Sequence, residues 1–151
     1  MKFLLLLPML LFSWDFTRSD YERILASNPE LISVSHSVGA QHNLGDTLVA
    51  LAIVETFGGL IPDTNSNSIC GPHQIDINFV DYSGTPEVFC KAIEDNPYLS
   101  ASLALANFQF WLRNSTHSEA VRHYNAGNTF HSHSPEYLRR FRLALSVIQS
   151  Y

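Results

Sequence analysis

The sequence predicts a mainly α, single-core domain with at most a small β element and one long irregular segment in its middle. Three observations lead there. Thr85-Pro86, Asn96-Pro97 and Ser134-Pro135 each place a capping side chain before a proline that suits the first helical position. The run Leu48–Phe57 is almost wholly apolar and stops at Gly58-Gly59. Between Gly58 and Gly84, turn formers crowd the chain: Pro62, Asp63, Asn65, Ser66, Asn67, Ser68, Gly71 and Pro72.

Taken in order, Met1-Lys2 followed by Phe3–Phe12 matches the charged and apolar regions of a secretory signal, so residues 1–19 are expected to be a leader that directs export. The segment is short of the roughly 20 residues that span a bilayer. No small-x-small pattern precedes Ser13 or Ser19, which leaves open an uncleaved anchor or a buried N-terminal helix. Asp20–Leu31 reads as a short helix ending near Pro29. Asp46 is the expected cap of a helix over Thr47–Phe57, ended by Gly58-Gly59. A short extended piece is expected near Gln74–Ile77. Helices follow over Glu87–Ile93, Tyr98–Arg113 and Ser118–Tyr124. In the last helix, opened by Ser134-Pro135, Tyr137, Phe141, Leu145 and Ile148 recur at helical spacing. A loop as long as the middle segment is usually functional.

The chain has 151 residues, which favours one domain over two. Its 46% apolar and 15% charged residues exclude a disordered chain. The net charge is −5, and no Lys/Arg run occurs, which argues against a nucleic-acid partner. The last third is nevertheless basic: Arg113, Arg122, Arg139, Arg140 and Arg142 stand against two acids, a face for an anionic polymer or simply a solvated helix side. Cys70 and Cys90, an even count in an exported chain, suggest one disulfide worth about 3 kcal/mol. In a reducing compartment the same two residues would be unpaired core thiols. His131 and His133, with His117 and His123 nearby, lack cysteine or carboxylate partners at ligand spacing and read as loop residues rather than a metal site.

Glu55 is the single ionisable residue of Leu48–Phe57 and sits one turn before the glycines. Apolar neighbours and the negative end of the helix dipole both disfavour its charged form, raising the pKa toward what a general acid needs at neutral pH. The competing reading is a glutamate facing solvent from the polar side of its helix.

Further motifs follow in order: Gly71-Pro72-His73-Gln74, Tyr124-Asn125-Ala126-Gly127, then Tyr137. With Glu55-Thr56 this succession resembles the lytic transglycosylases of the soluble-transglycosylase type, which have a goose-lysozyme-like fold. Their pattern is a catalytic Glu-Ser, then Gly-Leu-Met-Gln, Tyr-Asn-Ala-Gly and a tyrosine on the final helix. Here threonine replaces the serine, and Pro72-His73 replaces Leu-Met; the third motif matches completely. The resemblance extends over about 46–142 and implies an α+β lysozyme-like domain at 20–151.

It implies that Glu55 protonates the glycosidic oxygen between N-acetylmuramic acid and N-acetylglucosamine and then acts as base, forming a 1,6-anhydro product. Gln74 and Asn125 would hydrogen-bond the sugar. Tyr137, with Tyr124 as second candidate, would orient Glu55. Thr56 would support the groove, and Gly71 and Gly127 would be backbone requirements. Where the second motif departs from the family's, Pro72 fixes the loop and His73 is placed to add a groove contact of its own; a Cys70–Cys90 bond would pin the motif loop to the next helix. Asp63, Asp76 and Asp81 keep a second reading open, a hydrolytic muramidase with a second carboxylate. A third is a wall-binding protein without turnover. Neither catalytic route calls for a cofactor. The partner implied is a peptidoglycan strand, met by a periplasmic or secreted monomer without a transmembrane span. By analogy it would act for a secretion or conjugation apparatus or a phage.

Overall fold

The computed structural model of the chain describes residues 16–59, 68–128 and 134–151. The leader up to residue 15, Asp63 with the turn formers 62–67, and the pair His131 and His133 lie outside the described residues. Seven α-helices and one two-stranded sheet make up the described residues, the mainly α architecture with a small β element that the sequence predicts.

Helix α1, Arg18–Ser27, starts with a complete capping box: Thr17 accepts from the Asp20 amide, and the Asp20 carboxylate accepts from the Thr17 amide. The expected leader boundary after residue 19 therefore falls inside this helix. Phe16 belongs to the fold as well, its ring 4.8 Å from that of Phe57. Pro29 does not end one helix so much as open the next. Asn28 closes α1 and caps α2, Pro29–Ala40, accepting from the Leu31 amide at 3.3 Å. Helix α2 has no counterpart in the sequence reading because its buried stripe is Leu31, Ser35 and Gly39 rather than a run of large apolar side chains. Gly39 is needed there: a Cβ would lie 2.5 Å from the Leu44 carbonyl oxygen.

Helix α3, Gly45–Thr56, is the spine. Residues 47–53 are all buried, so it is apolar all round, as a helix surrounded by others must be. Asp46 is not its cap. Leu44 holds that position without a side-chain bond, and Asp46 sits in the first turn with an oxygen 3.5 Å from His36 Nε2. At the other end Phe57 itself turns left-handed (φ 53°), and the Gly58 amide donates back to the Ala52 carbonyl at 3.1 Å.

Strand β1, Ile69–Cys70, pairs antiparallel with β2, Ile75–Asp76, through the turn Gly71–Gln74. A 3-10 turn, Ile77–Phe79, follows. Then come α4, Pro86–Asp95, and α5, Pro97–Leu112, with Thr85 and Asn96 as the expected caps. Helix α6, His117–Ala126, opens on a Thr116–Glu119 capping box, and α7 is Ser134–Ile148. The inward stripe of α7 is Tyr137, Phe141, Ala144 and Val147; Leu145 and Ile148 are only partly buried beside it.

Helix α3 packs chiefly against α2 and α7, while α5 covers α2 and α6 bridges α5 to α7. Phe108, Phe141, Leu48, Leu51, Ile53 and Val121 form the centre of the core. Cys70 and Cys90 are joined, so β1 is tied covalently to α4. Among the described residues no helix is long and apolar enough to cross a membrane.

Candidate active site

Three elements converge on the C-terminal turn of α3. Glu55 is half-buried there, and Tyr137, from the first turn of α7, donates its hydroxyl to Glu55 Oε1 at 2.6 Å. Burial lifts the Glu55 pKa to about 7, against the opposing pull of the Tyr137 bond, which favours the carboxylate. Near neutral pH the group thus exchanges a proton readily. Burial, reinforced by the negative charge of Glu55, pushes both Tyr137 and Tyr124 well above the ordinary phenol range.

Tyr124, on α6, does not orient the glutamate through a hydrogen bond. Its hydroxyl donates to the His73 carbonyl at 2.8 Å and so holds the Gly71–Gln74 turn. That turn is fastened from other directions too. The buried Thr56 hydroxyl donates to the Pro72 carbonyl at 2.7 Å and accepts from the Gly59 amide at 3.0 Å. Thr56 therefore clamps the turn to the end of α3, one residue beyond Glu55. The disulfide holds the residue just before the turn.

His73 is fully buried, which overturns the expected groove contact. Its ring bridges the hydroxyls of Ser35 on α2, 3.2 Å from Nε2, and Ser100 on α5, 2.8 Å from Nδ1. Burial pushes its pKa down to about 4, so the imidazole is neutral at pH 7. Ser35 and Ser100 were not legible in the sequence. A serine reads as solvent-facing until a buried polar partner is known.

Gln74 takes a positive φ of 50°, and its side-chain amide donates to the Gly71 carbonyl at 2.9 Å, closing the turn on itself. Gly71 is required twice over: its φ is 73°, and a Cβ would meet Ile93 Cγ2 at 2.6 Å. Gly127 is required for conformation alone, since its φ of 66° comes with open space around the Cβ position. Asn125 lies beside Tyr124 on α6 and keeps a buried side-chain oxygen with no partner among the described residues. Such a group costs free energy unless a ligand or water meets it.

The other carboxylates of the middle segment do different work. Asp76 accepts from the amide and side chain of Asn78, capping the 3-10 turn, and Asp81 is exposed. No described carboxylate acts on Glu55; Asp63 lies outside the described residues. No cluster of three metal-ligating side chains occurs among the described residues. Comparison with protein-family models, curated proteins and solved structures finds no match for this chain.

Proposed function

We propose that the chain is a peptidoglycan lytic transglycosylase in which Glu55 serves as acid and then base. One observation carries this reading: a single half-buried glutamate, its pKa near 7, held by Tyr137 at 2.6 Å beside a turn fastened from several helices. A protonated Glu55 gives its proton to the glycosidic oxygen between N-acetylmuramic acid and N-acetylglucosamine as that bond breaks. The acetamido oxygen of the muramic acid stabilises the cationic sugar. The resulting Glu55 carboxylate takes the proton of the sugar's own 6-hydroxyl, whose oxygen closes on the anomeric carbon. The product is a 1,6-anhydro end, and Glu55 is protonated again. Intramolecular attack has a high effective molarity, which removes the need for a second carboxylate to activate water.

Tyr137 orients the acid in this scheme. The Asn125 oxygen, without a partner among the described residues, supports a substrate contact, since an acetamido N–H is a donor it could accept from. Gln74 is the second groove residue, and Thr56 acts through the turn it clamps. The leader pattern and the disulfide support an exported, periplasmic or secreted setting.

The deciding experiment is digestion of purified peptidoglycan by the protein, with mass spectrometry of the released muropeptides. Anhydro ends are expected. Reducing ends would replace the proposal with a hydrolytic muramidase. Glu55→Gln is expected to lower product release by about 10²–10⁴-fold with an unchanged circular-dichroism spectrum. Unaltered turnover in that variant removes Glu55 from the mechanism.

A further inference from the structure

Helices α2 and α5 leave a groove of about 380 Å³ between them, within the size range of small-molecule sites. It does not belong to the candidate active site. Ser33 and Ser37 lie two residues either side of Ser35, and Tyr98 and Ser102 two either side of Ser100. These four groove residues therefore stand about 200° round their helices from the hydroxyls that hold His73. The polar lining is hydroxyl and amide, from the three serines and Gln41, beside His42; no Asp, Glu, Lys or Arg contributes to it among the described residues. Val34, Val38 and Leu105 supply an apolar part. The serine hydroxyls are unspent. Ser27, Ser115 and Ser146 return theirs to carbonyls three or four residues back, at 2.6–2.9 Å. Ser33, Ser37, Ser102 and the Gln41 amide make no side-chain hydrogen bond among the described residues. Tyr98, in the first turn of α5, is 66% exposed at the same groove, so its ring is open to a ligand.

An N-acetylated sugar calls for this combination. The C–H face of its ring lies flat on an aromatic side chain, its hydroxyls exchange hydrogen bonds with short neutral groups, and its acetamido methyl needs an apolar contact. A lining without fixed charge gives an ionic ligand nothing to pair with. We propose that the groove between α2 and α5 is a second saccharide subsite, remote from Glu55, that holds N-acetylglucosamine units of a glycan strand. The ligand class follows from the lining; that the strand is wall glycan rests on the peptidoglycan reading above. A second hold on the strand keeps the enzyme on an insoluble polymer between cleavage events, by raising the local concentration of scissile bonds.

Two measurements on the full chain test it. In the first, the N-acetylglucosamine trimer is titrated into the protein and followed by backbone amide shifts in NMR spectra. Saturating shifts are expected over 33–42 and 98–105. Tyr98→Ala is expected to bind there about fivefold more weakly, and Tyr98→Phe, which keeps the ring, to bind like the wild type. Shifts confined to the surroundings of Glu55 and Gln74, or equal binding by Tyr98→Ala, overturn the subsite; so does a soluble stem peptide that moves the groove amides while the saccharide moves none. In the second, turnover of insoluble peptidoglycan is compared with turnover of short soluble strands. Tyr98→Ala is expected to slow the first about threefold and spare the second. An equal effect on both, or an effect on neither, overturns the subsite. A wild type that degrades neither substrate refutes the enzymatic proposal, and the titration then still decides whether the groove takes a saccharide.

Discussion

A carboxyl group that keeps its proton at neutral pH must be withdrawn from water without being locked into an ion pair, and Glu55 meets both conditions. Burial dominates its shift, and among the described residues the opposing contact is the Tyr137 hydroxyl. In the proposed reaction the acid form acts first, so activity is expected to be level below about pH 7 and to fall above it. Tyr137 donates to the carboxylate, so its removal raises the Glu55 pKa further. Tyr137→Phe should therefore move the alkaline limb of the pH–rate profile upward while lowering the maximum rate. A profile that stays in place would show that the tyrosine acts only through packing. Gly71 is the other residue whose identity is strict at this scale. Gly71→Ala adds backbone strain at φ 73° and a 2.6 Å contact with Ile93, an expected loss of about 2 kcal/mol or more in a denaturant titration.

At the scale of elements, the functional geometry depends on short, capped helices rather than on one rigid sheet. The Gly71–Gln74 turn is held by bonds from α3 and α6 and, through the ring of His73, from α2 and α5, so the wall beside Glu55 is positioned without long strands. Helix α1 matters to this arrangement because the Phe16 ring, just before it, contacts both Tyr21 of α1 and Phe57, the residue that ends α3. A chain beginning at Phe16 keeps the Thr17 cap, whereas one beginning at Asp20 loses both. The shorter chain is expected to be less stable by at least about 1 kcal/mol in urea titration. Equal midpoints for the two chains would mean that the first turn of α1 contributes nothing.

For the whole molecule, two buried groups with opposite shifts shape the dependence of stability on pH. Glu55 has a folded pKa raised from 4.5 to about 7, so between those values the folded state holds a proton that the unfolded chain releases, and stability falls as pH rises. His73 has a folded pKa lowered from 6.5 to about 4, so across that window the unfolded chain holds the extra proton, and stability falls as pH drops. From about pH 4.5 to 6.5 the two slopes offset each other. Glu55→Gln removes one of them. That variant is expected to exceed the wild type by about 2 kcal/mol at pH 8 and to lose stability steeply on acidification through pH 6.5 to 4. A variant whose midpoint tracks the wild type at every pH would contradict the buried, protonated state of Glu55. Reduction of the Cys70–Cys90 bond, which closes a separation of 20 residues, is expected to cost about 3 kcal/mol of unfolding free energy by calorimetry.

The local signals in the chain were enough for most helix starts and for the glutamate. Thr85, Asn96 and the apolar run Leu48–Phe57 act through bonds and burial within a few residues, and such interactions are written directly in sequence order. Helix α2 escaped because its buried face is serine and glycine, whose apolar contribution is too small to produce a periodic signal. The Asp46 cap failed because the helix starts one residue earlier, at Gly45 behind Leu44, where no capping side chain marks the boundary. His73 was misplaced because a polar ring in a turn looks solvated, and only the approach of Ser35 and Ser100 from distant helices makes its burial affordable. By itself, then, the sequence determined the helical class, the capped boundaries and the isolated acid. Which tyrosine reaches that acid, which hydroxyls clamp its neighbouring turn, and that Tyr98 shares a groove with Ser33 and Ser37 were decided by contacts between residues far apart along the chain, where no local spacing records the distance.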